Sequence, residues 1–359
     1  MGHEIDFLAV GQESKSGDAI ALRYGNLFGN RDEQTVIIID GGFTDDGDRL
    51  VNHVKHYFQT ERVDIVISTH PDRDHVCGLK VVLERMEVGQ LWMHQPWRHS
   101  DQLATAKRAG FRTIQLSQPL RESLEGAEEL EAVANRLGIP IVEPFQDVAS
   151  LDGVFRVLGP TVDFYEARLA EIKAEADLRA KAIAEVLRKM AEAAAKLVPE
   201  SLWIETLTDA GETSPQNNTS AICLLTVEDR PCLFTGDAGM PALEIAADRL
   251  QADGFKAGQL SFVQIPHHGS RRNVGPTILD RLLGPKGQES AGTAFVSAAP
   301  KAAPKHPAKK VTNAFWRRGY KPLATQGRAK WHYRQAPDRP DYVAVEPLPL
   351  YAWVEEDEG

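Results

Sequence analysis

The chain has 359 residues, 42% of them hydrophobic, enough apolar material for one large domain or two ordinary ones with a sizeable core. Its net charge of −10 speaks against nonspecific nucleic-acid binding by the protein as a whole. Cys77, Cys223 and Cys232 are too few and too scattered for a disulfide framework or a cysteine-rich zinc site, and no stretch is long and apolar enough to span a bilayer, so the expectation is a cytoplasmic protein without a membrane partner.

Apolar runs at Ile5 to Val10, Ala19 to Tyr24, Thr35 to Ile39 and Val63 to Ile67 are separated by Gly11, Gly17-Asp18, Gly25 and Asp40-Gly41-Gly42. This punctuation predicts strands, with a helix over Arg49 to Gln59. The fourth run leads into Thr69-His70-Pro71-Asp72-Arg73-Asp74-His75, where two imidazoles and two carboxylates fall within six residues. All four side chains bind divalent cations, and alternating along an extended loop they can converge on one point. Cys77 beside them reads as a small buried residue. A helix over Gly78 to Glu87, a strand at Leu91 to Met93, and helices at Asp101 to Gly110 and Glu122 to Leu137 follow. Alternating β and α elements predict an α/β layered sandwich with helices outside.

From Asp163 to Leu197, apolar or small residues such as Tyr165, Leu169, Ile172, Ile183, Leu187 and Met190 recur at steps of three and four among charges of both signs. The segment, bounded at 163–198, reads as an amphipathic helical insertion whose stripe packs on the body or on a second copy or protein partner. Strands resume at Ser220 to Val227, Cys232 to Thr235, Phe262 to Ile265 and Ala294 to Ser297. The expected layout is a single domain over 1–359 containing that insertion, with 352–359 as an acidic, solvated tail.

Polar stops follow the later strands: Gly236-Asp237, His267-His268-Gly269-Ser270, and a proline-rich stretch through Pro307. Three strand ends thus carry ligand-type residues. His70, Asp72, Asp74, His75, Asp237 and either His267 or His268 make a set large enough for two metal ions, with a shared carboxylate as the natural bridge.

The run His70-x-Asp72-x-Asp74-His75 resembles the HxHxDH motif of the metallo-β-lactamase superfamily, with Asp72 at the second histidine. Phe234-Thr235-Gly236-Asp237 resembles that superfamily's later bridging aspartate, and Ile265-Pro266-His267-His268-Gly269 its final histidine loop. The likeness is closer to the soluble domain of ComEC-type DNA-uptake proteins. There Gly17-Asp18-Ala19, Asp40-Gly41-Gly42, the HxDxDH variant, Asn217-Asn218-Thr219-Ser220, Thr235-Gly236-Asp237, His267-His268-Gly269-Ser270 and His306-Pro307 recur in this order. The resemblance spans roughly residues 5 to 330, outside the insertion and the tail. Uptake proteins join this domain to a membrane channel that the present sequence lacks, and they carry Tyr-Gly where Pro304-Lys305 precedes His306 here. Many superfamily members have a third histidine of the first metal site where Asn217-Asn218 stands.

What the resemblance implies is a metallo-β-lactamase-like αββα sandwich holding two divalent ions, Zn2+ or Mn2+, the oxygen-rich set making manganese more plausible than a histidine-rich one would. His70 and Asp72 would hold the first metal, His75 and His268 the second, with Asp237 bridging and Asp74 ligating and orienting the nucleophile. His267, His306 or Lys305 would supply a proton or positive charge to the leaving alkoxide. Asn218, Ser270, Arg271 and Lys305 are further candidate substrate contacts. Between Lys301 and Arg334 there are ten Lys/Arg and no Asp/Glu, so the rest of the chain carries −20. With interleaved Phe315, Trp316, Tyr320, Trp331 and Tyr333, that stretch suits a polyanion or is a solvated edge whose aromatics are core. The expected activity is a metal-dependent phosphodiesterase or nuclease acting on a nucleic acid or nucleotide. The alternatives are hydrolysis of a lactone, lactam or thioester, and a non-catalytic metal-binding assembly module.

Overall fold

Period-two burial in the strands builds the molecule. In the computed structural model, which describes residues 1–11, 15–113, 116–172, 197–302 and 306–355, Val36 and Ile38 turn into a helical layer while Ile37 and Ile39 turn toward a second sheet. A strand buried on both faces reads as an unbroken apolar run. Each such side chain contributes about 1.5–3 kcal/mol, which offsets the ~1–2 kcal/mol lost in ordering its backbone.

The chain runs through β1 (Gly2–Phe7), β2 (Ala19–Gly25), β3 (Gln34–Gly41), α1 (Thr44–His53), β4 (Arg62–Ile67), α2 (Arg73–Arg85) and β5 (Glu87–Trp92). It continues through α3 (Asp101–Ala109), α4 (Gln118–Leu137), β6 (Ile141–Val142), β7 (Phe155–Gly159), and α5, described over 162–172. Then come β8 (Leu197–Pro199), β9 (Ile222–Val227), β10 (Arg230–Phe234), α6 (Met240–Ala252), β11 (Phe262–Gln264), α7 (Pro276–Leu283) and β12 (Gly292–Val296). The last elements are α8 (Lys309–Arg317), β13 (Tyr320–Ala324), β14 (Lys330–Arg334) and β15 (Trp353–Glu355).

One sheet has the order β14-β1-β2-β3-β4-β5-β6 and the other β13-β12-β11-β10-β9-β7. Ile5, Phe7, Cys223, Phe234, Phe262 and Phe295 fill the space between them. Leu50, Leu79 and Leu130 of α1, α2 and α4 cover the first sheet, and Leu243, Ile278 and Phe315 of α6, α7 and α8 cover the second. This is the expected αββα sandwich. Strands β3, β4 and β5 are parallel, as are β10 to β13, so chain reversals after them gather at one end. That is where parallel sheets place ligand sites.

Three expectations need correction, and a fourth, the insertion, lies mostly outside the described residues. Helix α2 begins at Arg73 rather than Gly78, so Asp74 and His75 lie in its first turn instead of an extended loop. The first helix occupies Thr44–His53 rather than starting at Arg49. The helical insertion is described only over 162–172, where Tyr165 and Leu169 pack into the first helical layer. Residues 173–196 lie outside the described residues, and Leu197–Pro199 forms a strand against Trp353–Glu355, so the solvated tail does not start at 352. Strands β13 and β14 add to the expected set; after β13 of the second sheet the chain crosses to the first, where β14 pairs with β1.

Candidate metal centre

Asp40, at the end of β3 with φ 55°, organises the centre. Its Oδ1 accepts from the Thr69 amide at 2.8 Å and its Oδ2 from the Thr69 hydroxyl at 2.7 Å. Because the hydroxyl proton is given to Asp40, Thr69 Oγ1 accepts from His70 Nδ1 at 3.1 Å. Asp40 Oδ2 also lies 2.8 Å from His75 Nδ1 and accepts its proton. One carboxylate therefore fixes both tautomers, directly for His75 and through Thr69 for His70, leaving each Nε2 turned inward. His268 reaches the same state by donating Nδ1–H to the Ser297 carbonyl at 3.1 Å. Close packing holds α2 in place: a Cβ on Gly78 would stand 2.0 Å from the Gly41 carbonyl oxygen.

Asp237 sits between the imidazoles. Its Oδ1 is 3.5 Å from His75 Nε2, and its Oδ2 is 3.8 Å from His70 Nε2 and 3.5 Å from His267 Nε2. Asp74 Oδ2 lies 3.4 Å from His268 Nε2 and 3.9 Å from His75 Nε2. Asp72 Oδ2 lies 3.6 Å from His70 Nε2, with its Oδ1 accepting from Ser123 Oγ and Gln216 Nε2. Donors about 2.0–2.3 Å from one cation stand roughly 3–4 Å from each other, which is the spacing seen. Buried Nε2 atoms of His70, His75 and His268, and Oδ1 of Asp237, have no hydrogen-bond partner. Buried polar atoms left this way are costly, and the donor set fits divalent cations: His70, His75 and Asp237 form one group and Asp74, His75 and His268 a second.

Charge complementarity overrides burial here. Desolvation pulls His70, His75 and His268 down, yet the surrounding carboxylates raise all three, His268 to about 9. Burial likewise pushes Asp74 and Asp237 up, yet the histidines hold both below the usual carboxylate range, Asp74 at about 2. Asp18 goes the other way: burial dominates and raises it.

All six expected ligands, His70, Asp72, Asp74, His75, Asp237 and His268, are thus brought together. His267 has a side chain 31% exposed and donates Nδ1–H to Asn273 Oδ1 at 3.0 Å, so it faces both the centre and solvent. His306 stacks near it, 6.1 Å between ring centroids. Asn218 turns away: its Nδ2 donates to the Ser214 carbonyl and its Oδ1 accepts from the Gly239 amide. Neighbouring Asn217 takes a place beside His267, its Nδ2 3.0 Å from Nδ1. Ser270 and exposed Arg272 line a cleft of about 370 Å³ with Glu212, Thr213, Ser214, Asn217 and His267. Arg271 is half-buried, and Lys305 lies outside the described residues.

Sequence reasoning noticed Asp18 and Asp40 within motifs without giving them roles. It missed Gln264, whose amide donates to Asp18 Oδ2 at 2.8 Å, and Asn273, which also donates to the Asp237 carbonyl at 2.8 Å. A carboxylate immediately after a strand, as at Asp40, was the available signal.

The basic C-terminal stretch is not one surface. Lys310, Arg317, Arg318 and Lys330 are buried. Arg317 pairs with Glu200 at 2.8 Å, and Arg318 with Glu205 and Asp280, each at 2.8 Å. Phe315 and Tyr320 are core, so the edge-and-core alternative describes most of the stretch.

Among described residues, no helix is long and apolar enough to cross a membrane. Similar solved structures include a Thermotoga maritima protein described as a metallo-beta-lactamase, at 12% identity over 66% of this chain and 79% of that one, TM-score 0.34. Others are the hydrolase AbOPH in the beta lactamase superfamily, at 12% identity over 66% and 68%, TM-score 0.31, and an archaeal metallo-beta-lactamase superfamily protein from Sulfolobus tokodaii, at 14% identity over 77% and 83%, TM-score 0.30. No curated protein matches the chain. Residues 27–162, which carry Asp40 and the whole His70 to His75 run, match the family model of the metallo-beta-lactamase superfamily.

Proposed function

We propose that this protein is a metal-dependent phosphodiesterase acting on a nucleic acid or nucleotide. The observation that carries the reading is the placement of Asp237 between two histidine-carboxylate groups, opening beside a cleft lined by polar and charged side chains. A lactone or lactam site would instead be lined mainly by apolar groups. The motif order shared with ComEC-type uptake proteins favours the same substrate class.

His70 and Asp72 would hold one cation and Asp74, His75 and His268 the other, with Asp237 contributing an oxygen to each. Two cations there would supply positive charge against the phosphoryl oxygens and lower the pKa of a water. Asp74 then orients the attacking oxygen, since its Oδ2 already faces His268 and His75. His267, steadied by Asn273 and open to the cleft, delivers a proton to the leaving alkoxide, with His306 stacked behind it. Arg272 at the rim binds a substrate phosphate that does not react.

The test is metal-stripped protein reloaded with Mn2+ or Zn2+ and incubated with single- and double-stranded DNA, RNA and bis(p-nitrophenyl) phosphate, beside Asp74→Ala. Metal-dependent cleavage that disappears in Asp74→Ala is the expected result. Metal binding without cleavage of any phosphodiester rejects the reading and turns the search to lactones and thioesters.

A further inference from the structure

A second cluster of metal-binding side chains lies at the other end of the sandwich. His3 is the second residue of β1 and Cys232 the middle residue of β10, strands whose C-terminal ends lead toward the loop centre; His332 lies on β14 opposite Ile5. His3 has the same parity as Ile5 and Phe7, so it points between the sheets, where Cys232 also lies. His332 joins them, its ring 5.5 Å from His3 and 5.0 Å from Phe262. One donor atom from each of His3, Cys232 and His332 lies within 4.8 Å of the other two.

One observation singles this cluster out from ordinary core packing. His3 is 1% exposed, and neither ring nitrogen has a hydrogen-bond partner. An imidazole normally has one nitrogen donating and the other accepting, and burying both unmet is unfavourable. The Ser261 hydroxyl, which gives its own proton to the Pro231 carbonyl at 3.0 Å, stands 3.4 Å from Cys232 Sγ and can accept the thiol proton. The geometry points to a second, separate metal site in which His3, His332 and Cys232 bind a thiophilic divalent cation, zinc being the best match.

Two imidazoles and one thiol are the wrong donors for manganese or magnesium and suitable ones for zinc. Burial and the nearby Arg334 and Arg230 keep His3 neutral, as metal ligation requires. Burial also pushes the Cys232 thiol up to about 12, so without a cation the cluster holds a thiol. Binding forms an S–metal bond and breaks the S–H bond, and the proton goes to solvent. The carboxylate-rich loop centre and this neutral trio should therefore differ in the cations they accept.

The experiment uses full-length chain, metal-stripped and then saturated with Mn2+, Zn2+ or Co2+. Zinc is expected to load one equivalent per chain more than manganese, and Co2+ to give a thiolate-to-cobalt charge-transfer band in the near ultraviolet. Both the extra equivalent and the band should vanish in Cys232→Ser and persist in Asp237→Asn, with circular dichroism confirming the fold. His3→Gln gives the same readout if Cys232→Ser does not fold. Equal zinc content in wild type and Cys232→Ser, no cobalt band in wild type, or a band surviving in Cys232→Ser, which would assign it to Cys77 or another thiol, overturns the inference. None of these readouts depends on phosphodiester cleavage.

Discussion

At the loop end of the sandwich, His70, His75 and His268 each commit Nδ1 to a protein acceptor and present Nε2 to carboxylates. At the far end, His3 has neither nitrogen engaged, and its charged neighbours are mainly Arg334 and Arg230. Both groups are buried, yet their proton affinities move in opposite directions, with His268 raised to about 9 and His3 lowered to about 4. Burial lowers both; at His268 the surrounding carboxylates outweigh it, whereas at His3 burial is the largest cause and the two arginines add to it. A cation entering the loops must displace imidazole protons, whereas one entering between the sheets displaces only a thiol proton.

The hardest blow to this comparison is Asp237→Asn. It should lower kcat/KM on the order of 10³-fold, about 4 kcal/mol of transition-state stabilisation, and reduce loop-centre metal content. If metal analysis shows full content and assays show near-normal rates, Asp237 does not join two sites. Next is His267→Ala, expected to cost about 10²-fold on a nucleic acid, whose alkoxide leaving group needs a proton, and much less on bis(p-nitrophenyl) phosphate. Equal losses on both substrates would make His267 a ligand and not an acid.

Asp40→Asn keeps the size of the side chain but removes the charge that fixes two tautomers, and should weaken metal binding at the loops by roughly 10–100-fold. Titration with a metallochromic competitor measures this. The pH dependence of stability sharpens the contrast further. In metal-stripped protein, His268 is raised from its ordinary 6.5 to about 9, so the stability it adds is complete below pH 6.5 and is lost as pH rises to 9. The melting temperature of the stripped chain should fall by a few degrees across that window, while that of metal-saturated chain should not. The smallest effect is at the rim: Arg272→Ala should raise KM about fivefold with kcat nearly unchanged, as loss of uniform binding does. A fall in kcat would place Arg272 closer to the reacting phosphate.

Local pattern made much of this legible. The strand before His70 and the density of ligand types after it fall within a dozen residues, and the structure gathers those side chains as expected. Asp40 was harder, because Asp-Gly-Gly reads as a turn and its partner His75 is 35 residues away. The start of α2 was placed late because Asp72 to His75 read as loop, whereas the helix begins at Arg73 without a side-chain cap. Charge in the C-terminal stretch was misleading for a related reason. Arg317 and Arg318 find Glu200 and Glu205 more than a hundred residues earlier, and no local pattern encodes such a partner. Strand β14, Lys330–Arg334, lacks an apolar run, and only its pairing with β1 explains it.

Asp40, His267 and His268 hold positive φ values of 55°, 48° and 56°, in the left-handed region that a side chain enters at a cost of roughly 1–2 kcal/mol. Glycine would be the comfortable residue at each, and none of the three is glycine. At Asp40 and His268 that cost is outweighed by what the buried side chains hold, three hydrogen bonds accepted by the carboxylate and one donated by the imidazole. Only at His267, whose side chain is 31% exposed, does relief of strain cost little packing, so a screen for heat resistance alone would discard that imidazole first and has to carry an activity gate from its first round.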